Sequence, residues 1–414
     1  MSIPVPLPAH LPLGALAWDS VVTAGRAIAG GGSPSPDPRL IAAAYRSDRH
    51  LLIDGVKPEV WAPLSGFWHT ADGWVRTHGN YAHHAAALLT GLGLPAGSTP
   101  YEVRARLKIL TVSDAVSAIT ASGGLCVPVR QADPSKDDEL RRHPIVDVER
   151  VGDSAPRPLP HANASHPLDS VRVLDLTRVI AGPVATRTLA FAGADVLRID
   201  PPQRPEFAWQ HLDTGHGKRT ALLDIAAEAA QFERLLDAAD VIVLGYRPDG
   251  MSRLGLSPRQ LSERHPHLVT AQLTAWPGRH SPRGFDSLVQ AESGIAWLES
   301  PDGGETPGAL PAQGLDHSAG YLLAAGIADA LRRRESEGGA WSVRTSLRRI
   351  AAELLGMPRA RRHGEIGDPP SDPPTQTFEV GGQTITTVVP AVSWPGSPSH
   401  FAPPRVWGCD PPSW

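Results

Sequence analysis

The residue with the clearest chemical opportunity is an aspartate ahead of a helix. Asp316 sits in Gln313-Gly-Leu-Asp-His-Ser, directly before the apolar run from Gly320 to Arg332. Asp is a preferred helix cap, worth about 1 kcal/mol over Ala, so a purely structural role accounts for its position alone. The two roles are compatible. A carboxylate at a helix N-terminus is held anionic by the helix dipole, and an anionic carboxylate beside a thioester can attack its carbonyl to form a mixed anhydride. Gly314, two residues earlier, is suited to let backbone approach the reacting carbonyl and donate an N–H to its oxyanion. His317 reads otherwise as a helix-start residue.

Three histidines, His78, His83 and His84, invite a metal reading. Their spacing misses the i, i+4 helical pattern, and no H-E-x-x-H arrangement surrounds them, so no metal is expected. Asp200 closes the second strand of a strand–turn–helix–strand unit over 171–200, where a dinucleotide fold would hold a ribose. Only Gly182 occupies the turn where G-x-G-x-x-G is required, which argues against NAD.

These residues need elements to position them. Residues 171–177 read as a buried strand, and the turn at 181–183 has Pro183 placed for a first helical turn. A helix over 185–192 and a strand over 195–200 follow. Further strands are expected at 219–225, 240–246 and 267–275, with a helix near 228–238. This alternation predicts an α/β fold, a parallel Rossmann-like sheet flanked by helices. The N-terminal part reads as a smaller α+β segment, with helices at 41–45, 83–92 and 112–122. Residues 376–380 and 383–389 flank Gly381-Gly382 and predict a hairpin. Residues 389–414 carry no periodicity and predict an extended strap on the surface.

The 42 prolines and 40 glycines mark the breaks. Proline-rich polar stretches at 152–168 and 364–374 divide the chain into an N-terminal segment 1–151, a linker 152–167, a core 168–356 and a C-terminal hairpin and strap 357–414. The 414 residues suffice for roughly two to three domains. A net charge of −4 argues against a nucleic-acid partner, which needs a basic stripe. Two distant cysteines, no long apolar run and no basic leader predict a cytoplasmic protein with no membrane contact.

Ordered blocks then carry a resemblance. Leu174-Asp-Leu-Thr-Arg-Val-Ile-Ala-Gly-Pro183 is followed by Gly193-Ala-Asp-Val-Leu-Arg-Ile-Asp200, Gly217-Lys-Arg-Thr220 and Leu223-Asp224. The series continues through Ala239–Pro248, Arg253-Leu-Gly-Leu256, Phe285–Gly294 and Gly314–Tyr321. In this order the blocks resemble the class III CoA-transferase family, which includes formyl-CoA and carnitine CoA-transferases and the α-methylacyl-CoA racemases. Asp72-Gly-Trp-Val75 and residues 112–129 resemble the family's smaller domain, which here precedes the core instead of following it.

The resemblance implies a CoA-transferase moving CoA between an acyl-CoA and a carboxylic acid, with Asp316 as nucleophile. It implies CoA as substrate, with no permanently bound cofactor, and a homodimer. CoA contacts are implied at Val179, Ile180 and Ala181, at Leu223, Asp224, Ile225 and Ala226, and at Gly245, Tyr246 and Arg247. Others are implied at Arg253 and at Arg283, Phe285 and Asp286. Arg253 and Arg283 suit phosphate by their guanidinium forks. Formyl-CoA transferase has an arginine just after the second strand's acid, where this chain has Pro201-Pro202, which leaves Arg204 as the substitute. The racemases place a histidine where Phe285 stands, so a two-base racemase or epimerase lacks one partner. A silent CoA-binding relative is the third alternative.

Overall fold

The α/β alternation read from the sequence is realised in a seven-stranded sheet. A computed structural model describes residues 5–159, 163–278, 281–359 and 367–414. Residues 160–162 of the expected linker and 364–366 of the second proline-rich stretch lie outside the described residues.

The chain opens with α1 (Leu13–Ala29), α2 (Pro38–Tyr45), the single turn α3 (Ser47–His50) and the short strand β1 (Leu52–Ile53). A small unit follows: β2 (Gly66–His69), β3 (Trp74–Thr77), α4 (Ala82–Gly91), α5 (Pro100–Leu107), α6 (Val112–Ala121) and β4 (Cys126–Pro128). α7 (Pro134–Arg141) and β5 (Asp147–Gly152) lead to the linker. Beyond it come β6 (Arg172–Leu176), α8 (Ala181–Phe191), β7 (Asp195–Asp200), α9 (Ala208–Thr214), β8 (Arg219–Leu222), α10 (Ala229–Ala238) and β9 (Val241–Leu244). Next are α11 (Pro248–Arg253), α12 (Pro258–Arg264), β10 (Val269–Thr274), α13 (Asp286–Ser293) and α14 (Ile295–Leu298). α15 (Gly314–Glu337), β11 (Ala340–Ser346), α16 (Leu347–Gly356) and the hairpin β12 (Thr375–Val380) and β13 (Gln383–Val388) complete the chain.

The large sheet has the order β5-β11-β10-β9-β6-β7-β8. Its pairings are parallel except that β5 lies antiparallel to β11. β5 precedes the linker in sequence, so the sheet recruits a strand from ahead of the expected core. The central strands are buried on both faces, as parallel strands must be, and Val241–Leu244 shows this along its whole length. Burying such a side chain stabilises by about 1.5–3 kcal/mol. From β6 the chain runs outward through β7 and β8, then returns to β9 on the other side of β6. That reversal opens a crevice at the C-terminal ends of β6 and β9, where open α/β sheets bind ligands.

One face of the sheet packs on α8 and α15, with α1 laid across α15 in the same apolar core. The other face packs on α10 and α12. The small unit has its own core around Trp68, Val75, Leu88, Val103 and Ile119 and rests on α13 through β3 and β4. The hairpin forms as expected and gains β1 as a third strand. The strap contains no regular element, but it is not merely a surface feature: Ala391, Val392, Trp394 and Phe401 enter the main core. Among the described residues, no helix is long and apolar enough to cross a membrane.

Candidate active site

Asp316 is the third residue of α15, not its cap. The cap position falls to Gln313, whose side chain makes no capping bond. The helix dipole is used by another acid. Asp286, the first residue of α13, extends its Oδ2 to accept the N–H groups of Leu315 at 2.8 Å and Asp316 at 3.0 Å. Its other oxygen accepts from Gln290, which also orders the loop before α15 by accepting the N–H of Leu310. Asp286 therefore anchors the start of α15, and its carboxylate is committed there.

Two carboxyl groups thus lie together in a buried place. Burial pushes Asp286 up to about 6, against the pull of its N–H and amide donors and of Arg76. Asp316 is driven well above its ordinary range, first by burial and then by the neighbouring Asp286 charge. Among the described residues nothing donates a hydrogen bond to the Asp316 carboxyl group. Burial and the Asp286 charge thus oppose ionisation of Asp316, whereas Asp286 has donors that favour its charged form. Both influences act against the dipole, which was expected to hold Asp316 anionic. Gly314 has a packing reason for being glycine, since a Cβ there would sit 2.5 Å from Leu13 Cδ1 of α1. His317 is buried, stacked on Tyr45 with ring centroids 5.1 Å apart, and burial lowers it to about 3.

The crevice loops sit at the same edge of the sheet. Val179, Ile180 and Ala181 form the turn after β6, and Gly245, Tyr246 and Arg247 leave the adjacent β9. Leu223–Ala226 follows β8, farther along that edge. Gly182 is required where α8 meets the end of β6, because a Cβ there would lie 2.4 Å from Thr177 Cβ. Val179 has φ +72°, a rare conformation for a β-branched residue and a form of strain that collects at functional turns. Its N–H is held by Glu206 Oε2 at 3.2 Å.

Glu206 had no signal in the sequence, being one acid in a proline-rich loop. It is the hub of this edge. Besides Val179 it accepts from Tyr81 Oη at 2.9 Å, Arg178 Nε at 3.3 Å and an Arg198 nitrogen at 3.2 Å. Arg198 in turn grips Asp200, which also accepts from Trp407 of the strap. Lys218 of the Gly-Lys-Arg block is buried, paired with Asp175 at 3.0 Å, so it braces β6.

Arg204, Arg247, Arg253 and Arg283 are exposed and have no ion-pair partner among the described residues. Arg204 and Arg247 lie near enough to Arg283 for their charges to lower its pKa, after burial. Uncompensated arginines kept this close suit a polyanion. Arg253 stands on the last turn of α11. Phe285 is the residue before α13, and the ring of His78 lies flat against it, 3.9 Å between centroids and 7° between planes. The small unit thereby places an imidazole, kept neutral by burial at about 3, against the residue next to Asp286.

The profile of CoA-transferase family III matches residues 168–380, half of the 414-residue chain. The chain belongs to this family. A probable fatty acyl-CoA transferase of Mycobacterium tuberculosis is 36% identical over 215 residues, 47% of this chain and 54% of that protein. A cinnamoyl-CoA:phenyllactate CoA-transferase of Clostridium sporogenes is 29% identical over 217 residues, 47% of this chain and 52% of that protein. A solved structure of the mycobacterial protein aligns with a TM-score of 0.43 at 35% identity, over 46% of this chain and 58% of that one. The chain spans about half the length of the curated relatives it matches.

Proposed function

We propose that this family III protein transfers CoA from an acyl-CoA to a carboxylic acid, with Asp316 as the covalent carboxylate. The reading is carried by one observation: a buried carboxyl pair, Asp286 and Asp316, at the start of α15. The named activities of the mycobacterial and clostridial relatives support a CoA-ester and acid pair as the substrate class.

In this reading the nucleophile is the ionised form of Asp316. Its carboxylate attacks the donor thioester carbonyl, forming a mixed anhydride and expelling CoA thiolate. The thiolate attacks the aspartyl carbonyl, giving an aspartyl thioester and the free donor acid. The acceptor carboxylate attacks that thioester, re-forming an anhydride and the thiolate. Thiolate attack on the acceptor's acyl carbonyl then yields the new acyl-CoA and restores Asp316. Asp286 keeps α15 in register throughout. The loops at 179–181, 223–226 and 245–247, with Arg253 and Arg283, hold the CoA. The reading also takes the protein to be cytoplasmic, in keeping with two free cysteines, and homodimeric as the resemblance implies.

The test is acyl exchange between a panel of CoA esters and free acids, read by mass spectrometry. Asp316→Asn should fold and lose exchange, since an amide is a far poorer nucleophile. Exchange at the wild-type rate in that variant would refute the nucleophile. A second reading, α-proton exchange, draws on the His78–Phe285 stack, which sets an imidazole against the position where the racemases of the family carry a histidine. Steady α-deuterium incorporation into a 2-methylacyl-CoA, lost in Asp316→Asn, would establish it in place of transfer.

A further inference from the structure

The N-terminus of α4 lacks the usual cap. Tyr81 occupies the cap position with no side-chain bond to the helix. Its carbonyl serves the N–H groups of His84 and Ala85, while no described group accepts those of Ala82 and His83. Both residues are exposed, so the positive end of this ten-residue helix faces open space.

A second, independent feature lies in the same place. His84 is only 4% exposed, and neither of its ring nitrogens has a hydrogen-bond partner. Its ring lies 4.1 Å from that of His83. A buried polar group without a partner is costly and calls for an explanation. Among the described residues no three His, Cys, Asp or Glu side chains are grouped as metal ligands.

The surrounding charges share one sign. Arg178 from the turn after β6, Arg204 from the loop after β7 and Arg283 from the loop before α13 all act on His83. Arg283 and His83 act on His84, and His84 and Arg76 act on His78 of the strand β3 extension. Among the described residues, the acid bonded to Tyr81 is Glu206, and its oxygens are already taken by Tyr81, Arg178, Arg198 and Val179. Phe207 and Phe285 complete the wall.

We infer that the start of α4 is an oxyanion site, in which the free N–H groups of Ala82 and His83, the His83 ring and the guanidinium groups of Arg204 and Arg283 take one anionic group, with His84 stacked behind. The inference rests on the CoA-transfer reading for the source of that group, either a phosphate of the CoA ester or a distal carboxylate of the acid. It gives the small unit a direct part in ligand binding. Because cations and burial now depress both histidines, His84 to about 4, an arriving anion raises them, and binding takes up protons.

The test is calorimetry on the full chain near neutral pH, in two buffers of different ionisation enthalpy. The probes are inorganic pyrophosphate, CoA, 3′-dephospho-CoA and glutarate. Pyrophosphate should bind wild type with net proton uptake. His83→Gln, at an exposed position that cannot threaten the fold, should weaken it by about tenfold, the loss of one charge-assisted bond. His84→Asn should diminish the proton uptake. Whichever of CoA, 3′-dephospho-CoA and glutarate loses affinity in His83→Gln identifies the natural source. Wild-type pyrophosphate affinity and proton uptake in both variants would overturn the site, as would pyrophosphate binding to wild type without proton uptake. Pyrophosphate is no acyl substrate, so the outcomes separate. Failure of acyl exchange beside histidine-dependent pyrophosphate binding removes the transfer reading alone, and intact exchange beside histidine-independent binding removes this site alone.

Discussion

Gly320 tests whether the crossing of α8 and α15 fixes the active-site geometry. A Cβ added there would lie 2.6 Å from the Ala181 carbonyl oxygen and 2.8 Å from Val184 Cβ and Cγ1. A carbon–oxygen contact needs about 3.3 Å, so Gly320→Ala must push the helices apart by roughly 0.7 Å. The obstacle is backbone at the first residue of α8, which cannot swing aside as a side-chain tip could. Overpacking of this kind costs about 1–3 kcal/mol, while alanine's better helix propensity returns up to about 1 kcal/mol. The net expectation is a loss of about 1–2 kcal/mol. The displaced pieces are the helix bearing Asp316 and the turn bearing Val179–Ala181, so CoA affinity and exchange rate should fall with stability. Urea unfolding gives the first readout, as a lower midpoint at unchanged slope, and calorimetry with CoA gives the second. Gly250→Ala in α11 is the control, because a Cβ there meets nothing within 4 Å, and it should be neutral or gain up to about 1 kcal/mol. A Gly320→Ala protein as stable and as active as wild type would refute the argument.

Asp286→Asn should shift the acid limb of the exchange rate to lower pH. Removing the neighbouring negative charge lets Asp316 ionise sooner, while the asparagine carbonyl still accepts from Leu315 and Asp316, and an unmoved limb in the pH–rate profile would contradict the coupling. Glu206→Gln should destabilise by about 3–5 kcal/mol in denaturant titrations, because it leaves buried Arg198 without one of its two acids. Tyr81→Phe removes a single donor from the same carboxylate and should cost about 1 kcal/mol in the same titration. Arg283→Ala should weaken CoA binding by about 1–3 kcal/mol, measured calorimetrically, if its guanidinium meets a phosphate.

The legible parts of the fold are those coded by local pattern. β6, β7, β9 and β10 are short apolar runs between turn residues, and α8 and α10 lie between them with the expected period. Asp316 was placed at the start of a helix by the apolar run that follows it. What eluded the sequence are long-range meetings. The acid that caps α15 is Asp286, 30 residues earlier, where no cap motif links them. The Glu206 hub gathers residues from three separate segments, and the stack of His78 on Phe285 joins two units of the chain. β5 reads as half-polar because it is an edge strand, half-buried at most positions and exposed at Glu149 and Arg150, so it lacks the continuous apolar signal of its neighbours.

That edge strand limits how the chain can be divided. Excising residues 168–414 at the proline-rich linker would look natural from composition. It would strip β5 from β11 and leave a row of unpaired backbone N–H and C=O groups along the Ala340–Ser346 border, beside the apolar bed that α1 vacates on α15. Such a border is a template for pairing with another chain. The excised fragment should therefore emerge from size-exclusion chromatography as large assemblies, whereas a fragment that keeps α1 and β5 should not. The proline-rich stretch after β5 thus separates two strands that pair in one sheet.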